Sequence, residues 1–140
     1  MNRRRRKKLS ARLVEAALVD DLLRVRRLLR SGAPAETADA AGTTPLYQAS
    51  VNGSAGIVRE LLAAGAAPDT ESGTGSEGTP LCAAACWGHT EAVRALLEHG
   101  ADPNLREDHG TGWAPLEWAA KGPYPSTEAL LVAAGARHRD

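Results

Sequence analysis

Cys82, Cys86 and His89 stand at i, i+4 and i+7. Two thiols and an imidazole at those intervals would line up along one helical face, and they are common donors to zinc. A tetrahedral site needs a fourth ligand, which the pattern does not specify, and Gly88 bends the chain just ahead of His89. Packing cysteines are the simpler reading, so neither a metal nor a cofactor is expected. Gly73-Thr74-Gly75 evokes a phosphate loop, but no hydrophobic strand precedes it. No serine, threonine or cysteine occupies a nucleophile elbow. Glu107-Asp108 and Asp20-Asp21 pair carboxylates, yet adjacent residues on exposed elements make no catalytic cleft. The chain reads as non-catalytic.

A second chemistry lies in Arg3, Arg4, Arg5, Arg6, Lys7 and Lys8. Such a run attracts nucleic acid, anionic lipid or an import receptor, non-specifically and with steep salt dependence. It contains no aromatic to stack a base. Its charges repel and it has no apolar partner, so residues 1–8 are expected to be a disordered, solvating tail. The formal charge of the whole chain is zero, but residues 1–30 carry eleven Lys and Arg against three acids, while residues 31–140 carry six against fourteen. Two electrostatic regions of opposite sign share one chain.

The elements that must position these groups are clearest between Gly78 and Asn104. Thr79 is an N-cap residue followed by Pro80 at the first helical position. Leu81, Ala84 and Ala85 form one helical face, and Gly88 ends the helix. A second helix opens at His89-Thr90, carries Ala92, Val93, Leu96 and Leu97 as a stripe, and stops at Gly100. Neither helix is long enough to persist alone in water, so the hairpin must bury its apolar side against a neighbour.

The neighbours are copies of itself. Leu13, Leu46, Leu81 and Leu116 each open a copy, and in every one a glycine follows 19 residues later, at Gly32, Gly65, Gly100 and Gly135. The copies are spaced by 33, 35 and 35 residues, a solenoid period. The segments Gly-Thr-Thr-Pro-Leu-Tyr-Gln-Ala-Ser and Gly-Thr-Pro-Leu-Cys-Ala-Ala-Ala-Cys-Trp-Gly-His, with Gly-Ala-Asp-Pro-Asn closing the third copy, resemble the ankyrin repeat signature. The resemblance runs from about Leu9 to Ala136 and is strongest in the third copy. The first copy lacks Thr-Pro and has Asp20 in place of a glycine; the fourth has Ala114 for threonine and Pro123-Tyr124-Pro125 between its helices. Terminal repeats are expected to be atypical, because one face of each meets water.

The resemblance implies an all-α solenoid: ankyrin repeats of paired antiparallel helices joined by projecting β-hairpin-like loops. Residues 9–140 form one domain, with repeats at about 9–41, 42–76, 77–111 and 112–140. Helices are expected at Thr44 to Asn52 and about Ala55 to Ala64, with Gly56 a soft point, and Thr70 to Gly78 is expected to be a flexible tip. The last repeat reads as Pro115 to Lys121, restarting near Ser126.

By the same resemblance, partners bind through hairpin tips and the inner faces of the first helices. Carried onto this chain, that surface comprises Asp39, Thr43, Val51, Asn52, Glu77, Trp87, Asp108, Trp113 and Lys121, with Gly78 and Cys86 beside them. Trp87 and Trp113 are the expected anchors, being large aromatics at exposed, variable positions; Trp118 reads as core. The loops are acidic, with Glu36, Asp39, Asp69, Glu71, Glu77, Asp102, Glu107 and Asp108 against Arg106, so a basic or neutral protein partner is expected. The alternative is an adaptor for nucleic acid or an anionic surface acting through the tail. Unpaired cysteines four apart point to a reducing compartment. No run approaches the roughly 20 apolar residues of a membrane span. A monomer is expected, cytoplasmic, or nuclear for a eukaryotic source.

Overall fold

The computed structural model describes residues 2–73 and 77–138. Among them are eight helices: α1 (Arg3–Leu18), α2 (Leu22–Arg30), α3 (Pro45–Asn52), α4 (Ala55–Ala63), α5 (Pro80–Cys86), α6 (Thr90–Glu98), α7 (Pro115–Lys121) and α8 (Pro125–Ala133). They pair as α1–α2, α3–α4, α5–α6 and α7–α8. The first helices stack in order as one layer, and the second helices stack behind them as another. Leu13, Leu46, Leu81 and Leu116 are all buried where the layers meet, against Val25, Ile57, Leu61, Val93, Leu96 and Leu131. The repeat that organises the sequence therefore organises the core.

The starts of α3, α5 and α7 have local causes. Thr44 Oγ1 accepts from the Tyr47 amide and Thr79 Oγ1 from the Cys82 amide, both at 3.2 Å, with Pro45 and Pro80 at the first helical position. Ala114 has no hydroxyl to offer. There the Glu117 carboxylate accepts from the Ala114 amide at 3.3 Å, which is the other half of a capping box.

The basic run expected to be a disordered tail is instead helical. Arg3 to Lys8 make the first turns of α1, whose N-terminus is capped by Asn2 Oδ1 on the Arg5 amide at 2.8 Å. Arginine and lysine are good helix formers, and adding turns to an existing helix is far easier than nucleating one. Leu9, Leu13, Ala16 and Ala17 anchor that helix in the core, so the cationic turns extend from a held end. At the other end of α1, Asp20 adopts φ of 58° where the second and third repeats have glycine; aspartate is among the few residues that tolerate this region.

Successive repeats are keyed to one another at the helix turns. Asn52 Nδ2 donates to the carbonyls of Ala17 and Leu18 at 3.0 and 2.9 Å. His89, which lies just before α6, turns its ring back over Gly53 and sets Nε2 3.0 Å from the Val51 carbonyl oxygen. Tyr124 covers Gly88 in the same manner. Gly88 thus serves twice, for its φ of 68° and for the room its missing Cβ leaves to the next repeat's ring.

Three loops project from the first-helix layer and share one closing bond. The amides of Asp39, Ser72 and Glu107 donate to the carbonyls of Thr43, Gly78 and Trp113 at 2.9, 2.8 and 3.1 Å. The pair Ser72–Gly78 is the β-bridge found among the described residues. The base of the loop expected to be flexible is therefore tied down; its tip, residues 74–76, lies outside the described residues, and with it Thr74 and Gly75.

Glycine to alanine should act with opposite signs at two positions. A Cβ on Gly56, in α4, would meet Leu22 Cδ2 at an ordinary 3.6 Å, and Gly56→Ala is expected to stabilise by about 0.5–1 kcal/mol. At Gly88 it would strike the Tyr124 ring and strain the backbone, so Gly88→Ala is expected to destabilise by more than about 1 kcal/mol. Urea unfolding midpoints of the two variants check both signs.

Candidate functional site

A cup of about 220 Å³ opens between the first-helix layer and the loops. Tyr47 reaches it from α3, Cys82, Ala83 and Cys86 from α5, and Trp118 from α7; Trp87 stands at the end of α5, and Glu77 and Glu107 come from the loops. Three neighbouring repeats thus contribute to one cavity.

The two carboxylates are held firmly. Glu77 accepts from Thr43 Oγ1 with both oxygens, at 3.0 and 2.9 Å, and from Ser72 Oγ at 2.8 Å. Ser72 is fully buried and its Oγ also accepts from the Thr44 amide at 3.0 Å, so Glu77 is wired to the start of α3. Glu107 Oε1 accepts from the Trp118 indole Nε1 at 2.7 Å. Its carboxylate lies over Gly78, where any Cβ would collide with it, which puts it beside the residue that follows Glu77. Neither carboxylate has a cationic partner among the described residues. Arg106, the cation of these loops, is engaged elsewhere, with Glu117 at 3.0 Å and the Gly112 carbonyl at 2.9 Å.

The titratable groups of the cup record burial first and neighbouring negative charge second. Burial raises the Glu107 carboxyl above its ordinary range, the Trp118 donor works against that, and Asp108 and Glu71 raise it further. The Tyr47 hydroxyl is raised by burial, then by Glu77, Glu107 and Cys86. Burial pushes the Cys82 thiol up to about 12, opposed in part by Thr79, and raises Cys86, with Glu107 adding to both and the Lys121 ammonium opposing the rise at Cys86. Thiols shifted in this direction are neutral near pH 7 and poor nucleophiles. Cys82 Sγ instead lies 3.5 Å from the Trp113 carbonyl oxygen, and with the His89 ring committed to Val51, the cysteine–histidine triplet is not assembled.

Of the residues expected to form a partner surface, Glu77 and Trp87 line the cup, and Trp87 is 58% exposed at its rim. Trp113 and Lys121 stand next to it. Trp113 is half-buried rather than exposed, because its ring packs on Trp118 at 4.7 Å between centroids, with Lys121 Nζ 4.9 Å from its own centroid. Thr43 is buried, its hydroxyl spent on Glu77. Asp39 caps its own loop through the Ala41 and Thr43 amides, and the Asn52 amide and Val51 carbonyl are occupied by the links between repeats. Asp108 is exposed but does not line the cup.

Sequence reasoning missed Tyr47, Glu107 and Trp118 as cup residues, and Trp118 is half-buried rather than core. The signal was variation between copies. The position two after each opening leucine holds Glu15, Gln48, Ala83 and Trp118, whereas core positions such as the opening leucine itself keep their residue type. Likewise Asp39, Ser72 and Glu107 close equivalent loops, and the side chain that lines the cup is the bulkier Glu107.

A second charged surface is the start of α1. Arg3 to Lys8 are all exposed and join no ion pair among the described residues, and Arg3, Arg6 and Lys7 face Thr37 and Ala38 of the first loop across an open cleft. Among the described residues no helix is long and apolar enough to cross a membrane.

A family model described as ankyrin repeats (3 copies) matches residues 13–107 and again 70–140. Among curated proteins none matches the chain.

The raised carboxyl of Glu107 makes its ionisation a cost to the fold. A group raised in the folded state gives stability that is full below its unfolded range and is lost as pH rises through the folded value. Glu107→Gln keeps an acceptor for the Trp118 indole and removes the charge, so it is expected to raise the urea midpoint at neutral pH. The gain should vanish below about pH 4, where both forms are neutral; a lower midpoint at neutral pH would contradict this.

Proposed function

Because the chain belongs to the ankyrin repeat family, whose repeats are generally protein–protein interaction modules, we propose that it binds a protein partner through the groove of the first-helix layer and the loops beside it, without catalysis. The observation that carries this reading is the cup itself. Trp87 is 58% exposed at the rim of a cavity built by three repeats. A large aromatic at such a place is the commonest kind of binding anchor. Trp113, Trp118 and Lys121 extend the aromatic surface on one side. Glu77 and Glu107 set the sign of the partner, which presents a basic or neutral contact surface.

The start of α1 supports a second reading, an adaptor for nucleic acid or another anionic surface. Its six exposed cations have no internal partner among the described residues, and helical order presents them as a rigid array. Such binding weakens steeply with salt.

Affinity capture from native lysate separates the two. Trp87→Ala removes an exposed side chain and is expected to change stability by no more than about 0.5 kcal/mol, checked by circular dichroism during urea unfolding. Partners bound by the intact chain and lost with Trp87→Ala are the expected outcome. Partners that survive Trp87→Ala but are lost when Arg3 to Lys8 are all replaced by glutamine would transfer the function to the basic helix.

A further inference from the structure

We propose that the cup receives a single lysine side chain of the partner, its alkyl stem against Tyr47, Trp87 and Trp118 and its ammonium between Glu77 and Glu107. This rests on the groove reading above and names the chemistry of its central contact.

Size comes first. At about 220 Å³ the cup falls below the ~300 Å³ at which pockets for whole small molecules begin, and it suits one long side chain. The walls then select the kind of side chain. Aromatic faces attract a cation and cover an apolar stem, and two carboxylates without a cationic partner supply the opposite charge. The chain's own Lys121 already shows the contact from outside: its Nζ lies 4.9 Å from the Trp113 centroid and 6.0 Å from that of Trp118, and Lys121 does not line the cup.

The hydrogen bonds already made decide between lysine and arginine. Arginine binds carboxylates best through two parallel bonds to one free carboxylate edge. Glu77 offers no such edge, because both its oxygens are engaged by Thr43 and one of them also by Ser72, and at Glu107 the Trp118 indole already takes one position on Oε1. What remains is about one acceptor position on Glu77 and, on Glu107, its Oε2 with the second lone pair of Oε1. An ammonium, a compact charge with three donors in rotatable directions, reaches both carboxylates at once, whereas a planar fork commits its paired donors to one.

The anionic character of the cup has no structural necessity at one of its two sources. Glu77 braces the loop base through Thr43 and Ser72, but Glu107 needs only an acceptor for the indole, which an uncharged glutamine would supply.

The test uses the full chain, labelled with nitrogen-15, and three capped amino acids with unbranched stems of similar reach and different heads: the Nα-acetyl N-methylamides of lysine, arginine and norleucine. The lysine probe is expected to shift the indole Nε1–H signals of Trp118 and Trp87 with a dissociation constant of about 1 mM, as befits one side chain. The arginine probe should bind several-fold more weakly, and norleucine at least about 10-fold more weakly. Glu107→Gln and Trp87→Ala should each weaken the lysine probe by about 10-fold. Norleucine binding equal to lysine, arginine binding tighter than lysine, or unmoved indole signals would each overturn the proposal. If the lysine probe is silent while Trp87→Ala still abolishes partner capture, the groove reading stands and the lysine falls. If the probe binds as expected but capture is indifferent to Trp87, the lysine site stands and the groove is not where the captured partners dock.

Discussion

Beyond α1, no helix among the described residues is longer than nine residues. Isolated helices of that length are marginal at best, since about 12–15 residues are needed even in favourable sequences. The order of this molecule therefore resides in the contacts between repeats, and everything else depends on them. The buried leucine at the start of each unit supplies the apolar part of that contact. The directional part comes from links that reach from one repeat to the one before: the Asn52 amide on Ala17 and Leu18, the His89 ring on Val51, and the Tyr124 ring over Gly88. On the outer layer, Arg26 with Glu60 at 2.8 Å and Thr90 with Thr127 at 2.9 Å tie second helices together. In such a stack each unit is stable only through its neighbours.

That dependence explains where the cup lies. A single hairpin has no room for a cavity between its thin helices, because Ala84, Ala85, Ala92 and Ala95 bring them close together. Space opens between successive units, and on the first-helix side their loops help to enclose it, so a binding site there is shared among repeats. Tyr47, the Cys86–Trp87 corner and Trp118 belong to three different units, and Glu77 and Glu107 to the two loops between them. Recognition and stacking use the same interfaces from opposite sides.

The same logic separates what could be read from the sequence from what could not. Leucine, glycine and Thr-Pro positions recur because every unit must solve the same packing and capping problem, and the helices at Pro45, Pro80 and Pro115 follow directly. The cup was only half legible. Trp87 and Glu77 stood at positions a resemblance could nominate, but Tyr47, Glu107 and Trp118 are departures from the repeat, and departures announce only that the shared constraint is absent there. Thr43 and Asn52 erred the other way, since nominally variable positions turned out to hold the stack together. The cationic run was misjudged because its own composition forbids a core, whereas its order comes from the apolar residues that follow it.

The ordered cationic start of α1 has a kinetic consequence. Eleven of the seventeen basic residues fall in the first thirty positions, while the acids predominate after them, along a stack whose units follow one another in line. A molecule of zero net charge with this arrangement carries a large permanent dipole moment along its length. In the field of a charged partner it feels little net pull but a strong torque, so it arrives already turned, the anionic repeats toward a cation and the basic end away. The rate of productive encounter then depends on ionic strength through alignment rather than attraction, and fades as the screening length falls to about 8 Å at physiological salt.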